Sequence, residues 1–145
     1  MSDELNLTGG CLCGATRFEA RGTPILSAIC HCRMCQRASG APFMALLFMP
    51  SEGVAVTKGQ PQVYPSSPTS NRHFCARCGS PLFFERHTRA AMGVAVGSLD
   101  DSAQHFWTGG LETAGPDCYD AVAIARAAGF RMLVMSRIRH AAIVP

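Results

Sequence analysis

Lysine is almost missing from this chain. Of 13 basic side chains only Lys58 is a lysine, and the rest are arginines. A surface so poor in lysine does not make a broad phosphate-binding face, which argues against a nucleic-acid partner. Charge of either sign is also sparse, at 16% of residues against 48% apolar ones. That balance excludes a disordered chain and fits a compact one. No apolar run approaches the roughly 20 residues that cross a bilayer, so no membrane partner is expected. The first ten residues, "MSDELNLTGG", carry neither a basic segment nor an apolar one, so they do not read as a secretory leader. A cytoplasmic location follows as an expectation. Internal repeats and low-complexity tracts are absent too. With 145 residues, a single domain over 1–145 is expected, long enough to bury a core, so that a metal need not supply all of the stability.

Cysteine is plentiful: eight in 145 residues. In a reducing compartment these read as metal ligands or catalytic thiols rather than disulfides. Seven fall in three clusters, "CLC" (Cys11, Cys13), "CHCRMC" (Cys30, Cys32, Cys35) and "CARC" (Cys75, Cys78). Cys118 stands apart and reads as an ordinary cysteine.

Between the clusters, short runs bounded by glycine and proline suggest strands. "ATRFEA" and "ILSAIC" read as two strands with a turn between them. "PFMALLFMP" (42–50) reads as a buried strand. "GVAVTKG" and "QVYP" suggest a hairpin around Gly59–Pro61, and "PSSPTSN" (65–71) a loop. "SPLFFE" and "AMGVAVGSLD" are further strands. No strong helix is expected before Asp101. Beyond it the composition turns to Ala, Arg and Met, and Pro116 and Gly129 suit the two ends of a C-terminal helix. The expected fold is mainly β, short strands joined by Gly/Pro turns, with that helix at the end.

The clusters differ in what they can hold. In "CARC" two cysteines on a tight turn present both sulfurs to one metal, with Gly79 free to take positive φ. In "CLC", if extended, Cys11 and Cys13 share a face, and Gly14 again follows. Together the two pairs make a closed four-sulfur site, structural because no position is left. Cys30 and Cys32 share a face by the same alternation, and Cys35 returns after a turn. Three thiolates with a fourth position open are the arrangement of a catalytic zinc. Other partitions stay open: "CLC" could pair with "CHCRMC", and His73, two residues before Cys75, could ligate. His31 should point away from the Cys30–Cys32 metal. Arg33, Arg37, Arg72 and Arg77 could balance thiolate charge or bind substrate carboxylates. Seven thiolates with two Zn²⁺ would bring the formal charge of +3 close to zero, which removes the apparent basicity.

"GGCLCGATRF", "CHCRMCQRASGAPF", "SNRHFCARCGSPLFF" and "VGSLDD", in this order over residues 9–101, resemble the glutathione-dependent formaldehyde-activating enzyme family, which includes centromere protein V. The resemblance implies a mainly β fold of complex folded ribbons. It implies a structural zinc on Cys11, Cys13, Cys75 and Cys78 and a catalytic zinc on Cys30, Cys32 and Cys35, two per chain. It also implies a carbon–sulfur lyase handling S-(hydroxymethyl)glutathione, formed from formaldehyde and the thiol partner glutathione. The tail, 102–145, departs from the pattern and keeps only His105 and Trp107 as echoes. The competing expectation is a non-catalytic zinc-binding module for protein or nucleic-acid contacts. A homo-oligomer is compatible with either.

Overall fold

The structure, a computed structural model, describes residues 4–101 and 112–113. The strands are β1 (Leu5–Gly10), β2 (Arg17–Gly22), β3 (Leu26–Cys30), β4 (Met44–Pro50), β5 (Val54–Lys58), β6 (Gln62–Ser67), β7 (Ser70–Phe74), β8 (Pro81–Arg86), β9 (Ala91–Ala95) and β10 (Glu112–Thr113). One α-helix, α1 (Arg33–Ser39), interrupts them between β3 and β4, and single 3-10 turns follow β4 and β9. They form a three-stranded sheet, β1-β2-β5, and a seven-stranded sheet, β10-β3-β4-β9-β8-β7-β6. The described protein is mainly β, as the sequence leads one to expect, and none of its helices is long and apolar enough to cross a membrane.

The core lies between the sheets. In β2 the alternation is clean: Phe18 and Ala20 are buried while Arg17, Glu19 and Arg21 face outward or lie at intermediate depth. β4 is apolar on both faces because it lies between β3 and β9 and is covered on both sides. Met44, Leu46, Leu47 and Met49 are all buried. Phe18 from the small sheet meets Phe83 from the large one edge to face, with centroids 4.9 Å apart. Gly9 permits a close approach at this seam. A Cβ there would sit 2.4 Å from both the Phe18 ring and the Ser98 carbonyl.

Three local expectations change. β5 does not pair with β6: it pairs with β2, and β6 pairs with β7, so the chain passes from one sheet to the other at Gly59–Pro61. Turn residues mark where a chain bends but not which strand it meets next. The supposed loop 65–71 is mostly strand, with β6 and β7 joined by a turn at Pro68–Thr69. Pro65 is tolerated because β6 is an edge strand and its register shifts there. And a helix does form before Asp101. α1 starts at Cys32, whose Sγ accepts from the Cys35 N–H at 3.4 Å in place of the usual oxygen cap. Seven residues are too few to show helical periodicity. β1 was not read from sequence either. The expected helix between Pro116 and Gly129, and Cys118, His105 and Trp107, lie outside the described residues.

Candidate metal centres and the adjoining cavity

The sulfurs of Cys11, Cys13, Cys75 and Cys78 all lie within 4.8 Å of one another. Cys11 and Cys13 are 3.6 Å apart and Cys13 and Cys75 are 3.8 Å apart. A tetrahedral zinc with bonds of about 2.3 Å spaces its sulfurs by about 3.8 Å, so the donor set and its spacing fit such an ion. The pairs reach this geometry through turns. "CLC" is not extended as expected. β1 stops at Gly10, the Gly14 N–H bonds back to the Cys11 carbonyl at 3.0 Å, and Leu12 at the tip is 90% exposed. "CARC" makes the matching turn, with the Gly79 N–H on the Cys75 carbonyl at 2.8 Å. Gly14 and Gly79 both take positive φ, 70° and 74°, as the sequence suggests. Thr16 N–H donates to Cys11 Sγ at 3.2 Å, a contact suited to a thiolate.

The second group is Cys30, Cys32 and Cys35, again with sulfurs within 4.8 Å of one another. Cys30 ends β3, Cys32 caps α1 and Cys35 lies in its first turn. Cys30 and Cys32 are 3.4 Å apart. So the seven clustered cysteines divide four and three, and "CLC" pairs with "CARC" rather than with "CHCRMC". His73 joins neither group: its Nε2 lies 3.1 Å from Glu85 Oε2. His31 is buried and packs edge to face on Phe43, 5.6 Å between centroids.

Without a cation, crowded thiols must share protons. The Cys30 thiol against Cys35 holds Cys35 down at about 5, helped by the Arg72 guanidinium and opposed by burial. The same contact, with burial, pushes Cys30 well above its usual range. In the first group the Ser80 hydroxyl leads in drawing Cys78 down to about 5. A divalent cation would let every thiol in each group ionise. Both groups could therefore hold a metal ion.

The four arginines singled out in the sequence separate in space. Arg33 donates to Gln36 at 2.6 Å on the exposed side of α1. Arg72 is buried and faces Cys35, with Nη2 to Sγ at 3.4 Å. Arg37 lines a cavity of about 550 Å³ together with Ala38, Met44, Tyr64, Arg72 and Phe83. Arg77 does not line it. Two residues that matter here were missed from sequence. Ser80 bridges the two turns of the first group. Asp100 bonds Arg17 and Thr8, fastening the small sheet to the segment after β9. Both lie inside quoted motifs, Ser80 in "SNRHFCARCGSPLFF" and Asp100 in "VGSLDD", but their partners are set by contacts distant in the chain.

A Schizosaccharomyces pombe protein named an uncharacterized lyase is 33% identical over 76 residues. The match spans 52% of this chain and only 55% of that relative, a little over half its length. A crystal structure of a Rhodobacter sphaeroides protein has the same fold with a TM-score of 0.59 at 20% identity, over 72% of this chain and 98% of that one. Residues 6–109, most of the chain, match a family model, and on that match this chain belongs to the glutathione-dependent formaldehyde-activating enzyme family.

Proposed function

We propose that the chain is a zinc-dependent carbon–sulfur lyase-type enzyme acting on a glutathione–aldehyde adduct such as S-(hydroxymethyl)glutathione. One observation carries the reading: one sulfur group is complete at four, and the other stops at three, with Arg72, which bonds its Cys35, lining a cavity. Cys11, Cys13, Cys75 and Cys78 hold a structural zinc with no position to spare. Cys30, Cys32 and Cys35 hold the second, catalytic zinc. An ion held there supplies an open coordination position that binds a substrate sulfur and favours its thiolate form. In the reaction the carbon–sulfur bond breaks, the sulfur keeps the electron pair, and the hydroxyl proton is lost as the carbonyl of the aldehyde forms. The reverse reaction adds the thiolate to the aldehyde.

The chain's own residues position the rest of the molecule. The walls of the cavity, Ala38, Met44 and Phe83 among them, exclude water from one side of the adduct. Arg37 at the cavity is exposed, and its planar fork suits a glutathione carboxylate. Arg72 is committed to Cys35 and is not available for that task. A reducing, cytoplasmic setting suits seven thiol ligands.

Metal analysis should return two zincs per chain. In a Co²⁺-substituted protein, glutathione should shift the visible spectrum of the second site. No shift at saturating glutathione would sink the substrate assignment and favour a non-catalytic zinc-binding module instead.

A further inference from the structure

Arg72 is buried, at 9% exposure, and among the described residues it pairs with no carboxylate. The ion pairs among the described residues are Arg17–Asp100, Arg21–Glu19 and His73–Glu85. Arg72 instead directs Nη2 at Cys35 Sγ (3.4 Å) and Nη1 at Met44 Sδ (3.7 Å), and its guanidinium carbon lies 5.1 Å from the centre of the Phe84 ring. The placement is built into the sheet, because Arg72 in β7 is the cross-strand partner of Phe84 in β8. A buried guanidinium has donors and no acceptor, and burying its charge is costly unless an anion faces it. Among the described residues, the anion within reach is the sulfur of Cys35.

We propose that Arg72 is the counter-ion and positioning residue of the three-cysteine centre, setting how tightly that centre holds its metal and a fourth, anionic sulfur ligand. The inference rests on the reading of Cys30, Cys32 and Cys35 as metal ligands. Three thiolates around a divalent cation carry one net negative charge. With Arg72 the group is neutral before a ligand arrives, and it carries one negative charge, not two, after a thiolate joins. In a partly buried site that difference decides whether a fourth thiolate is accepted. The Nη2–Sγ hydrogen bond also holds the Cys35 sulfur in place and draws electron density from it. Arg72 need not touch the substrate to do this.

The test compares Arg72→Met, which keeps length and loses charge, with Arg72→Lys, which keeps a charge and a donor. Each Co²⁺-loaded protein is titrated with a chelator, to rank metal affinity at the two sites, and then with 2-mercaptoethanol, a small thiol that makes no use of glutathione recognition. In Arg72→Met the three-cysteine site should lose roughly 10–100-fold in metal affinity, with thiol binding weakened as well, while the four-cysteine site is unchanged. Arg72→Lys should recover most of both. Unchanged affinities in Arg72→Met overturn the proposal. Equal losses in the two variants also overturn it, because they reveal a packing role. If Arg72→Met does not fold, Arg72→Lys decides alone: near-wild-type affinities support the role, and a loss of tenfold or more overturns it. A wild-type protein that takes up only one metal per chain removes the three-cysteine site and the role of Arg72 together. Two metals with no response to glutathione would remove the substrate assignment only.

Discussion

Ser80 is a small residue that does two jobs at the first cysteine group. Its hydroxyl accepts from the Leu12 N–H at 3.0 Å and lies 3.2 Å from Cys78 Sγ, so it ties the "CLC" turn to the "CARC" turn. The cysteines around it should respond to substitution differently from those of the second group. Cys75 is 1% exposed and belongs to the closed group. Cys75→Ser should cost one zinc per chain and destabilise the fold by on the order of 4 kcal/mol or more, read by metal analysis and chemical denaturation. Cys32→Ser should also cost one zinc, yet leave the melting temperature within a few degrees, because the open group is not needed to hold the sheets together. Asp100 makes a separate prediction. The Arg17 guanidinium, helped by the Thr8 hydroxyl, holds its carboxyl at about 2 against the usual 3.8. A lowered acid contributes stability above its unfolded value, and that contribution fades as the pH falls through the folded one. Asp100→Asn should therefore destabilise at pH 7, and the gap to wild type should close between about pH 4 and pH 2. Both side chains are more than a third exposed, so the gap at pH 7 should be at most about 1 kcal/mol. A gap that persists at pH 2 would contradict this account.

At the scale of elements, the strands fall where short apolar runs sit between turn residues. β2, β3, β4, β8 and β9 are all visible in the sequence because each carries its own pattern. α1 is not, because a thiol caps it and it is one to two turns long. The β5–β6 pairing is misread for another reason: the partner of an edge strand is chosen by a distant face, here β2, and not by the adjacent turn. β1 shows how close the layers come. Its Gly9 bridges to Leu99 and leaves no room for a side chain between Phe18 and the Ser98 carbonyl. Gly9→Ala should destabilise by about 1–3 kcal/mol in urea denaturation, because backbone must move to admit the methyl. An unchanged midpoint would show that the seam is looser than the distances indicate.

For the whole molecule, the first cysteine group would work as a clamp once it holds a metal. It brings together the end of β1, in the small sheet, and the β7–β8 turn of the large sheet, with Cys13 and Cys75 62 positions apart in the chain. The core adds to this, with Leu82 and Met49 fully buried where the sheets meet. Stripping metal with a strong chelator should therefore lower the melting temperature steeply and release most of the stability lost in Cys75→Ser. Zinc should restore it, since a ligand that binds only the folded state stabilises by about 2.7 kcal/mol at a hundredfold excess over its dissociation constant. A melting temperature that chelation does not move would mean that the sheets hold together without the clamp. Leu82→Ala gives an independent measure of the seam and should cost about 2–5 kcal/mol.

The sequence by itself determined the class of fold, the three cysteine clusters and the glycines that follow two of them, because spacing and backbone freedom are local properties. It also pointed to a family through motifs whose order survives along the chain. Spacing and the resemblance already pointed to the four-and-three division, but folding is what brings the sulfurs together, since pairing Cys13 with Cys75 depends on two sheets meeting and not on any interval in the chain. Only the tertiary structure separated four similar arginines, placing Arg72 against Cys35 and Arg37 at the cavity. A charge acquires its partner from what folding brings within a few ångströms of it, and that distance is written nowhere in the order of residues.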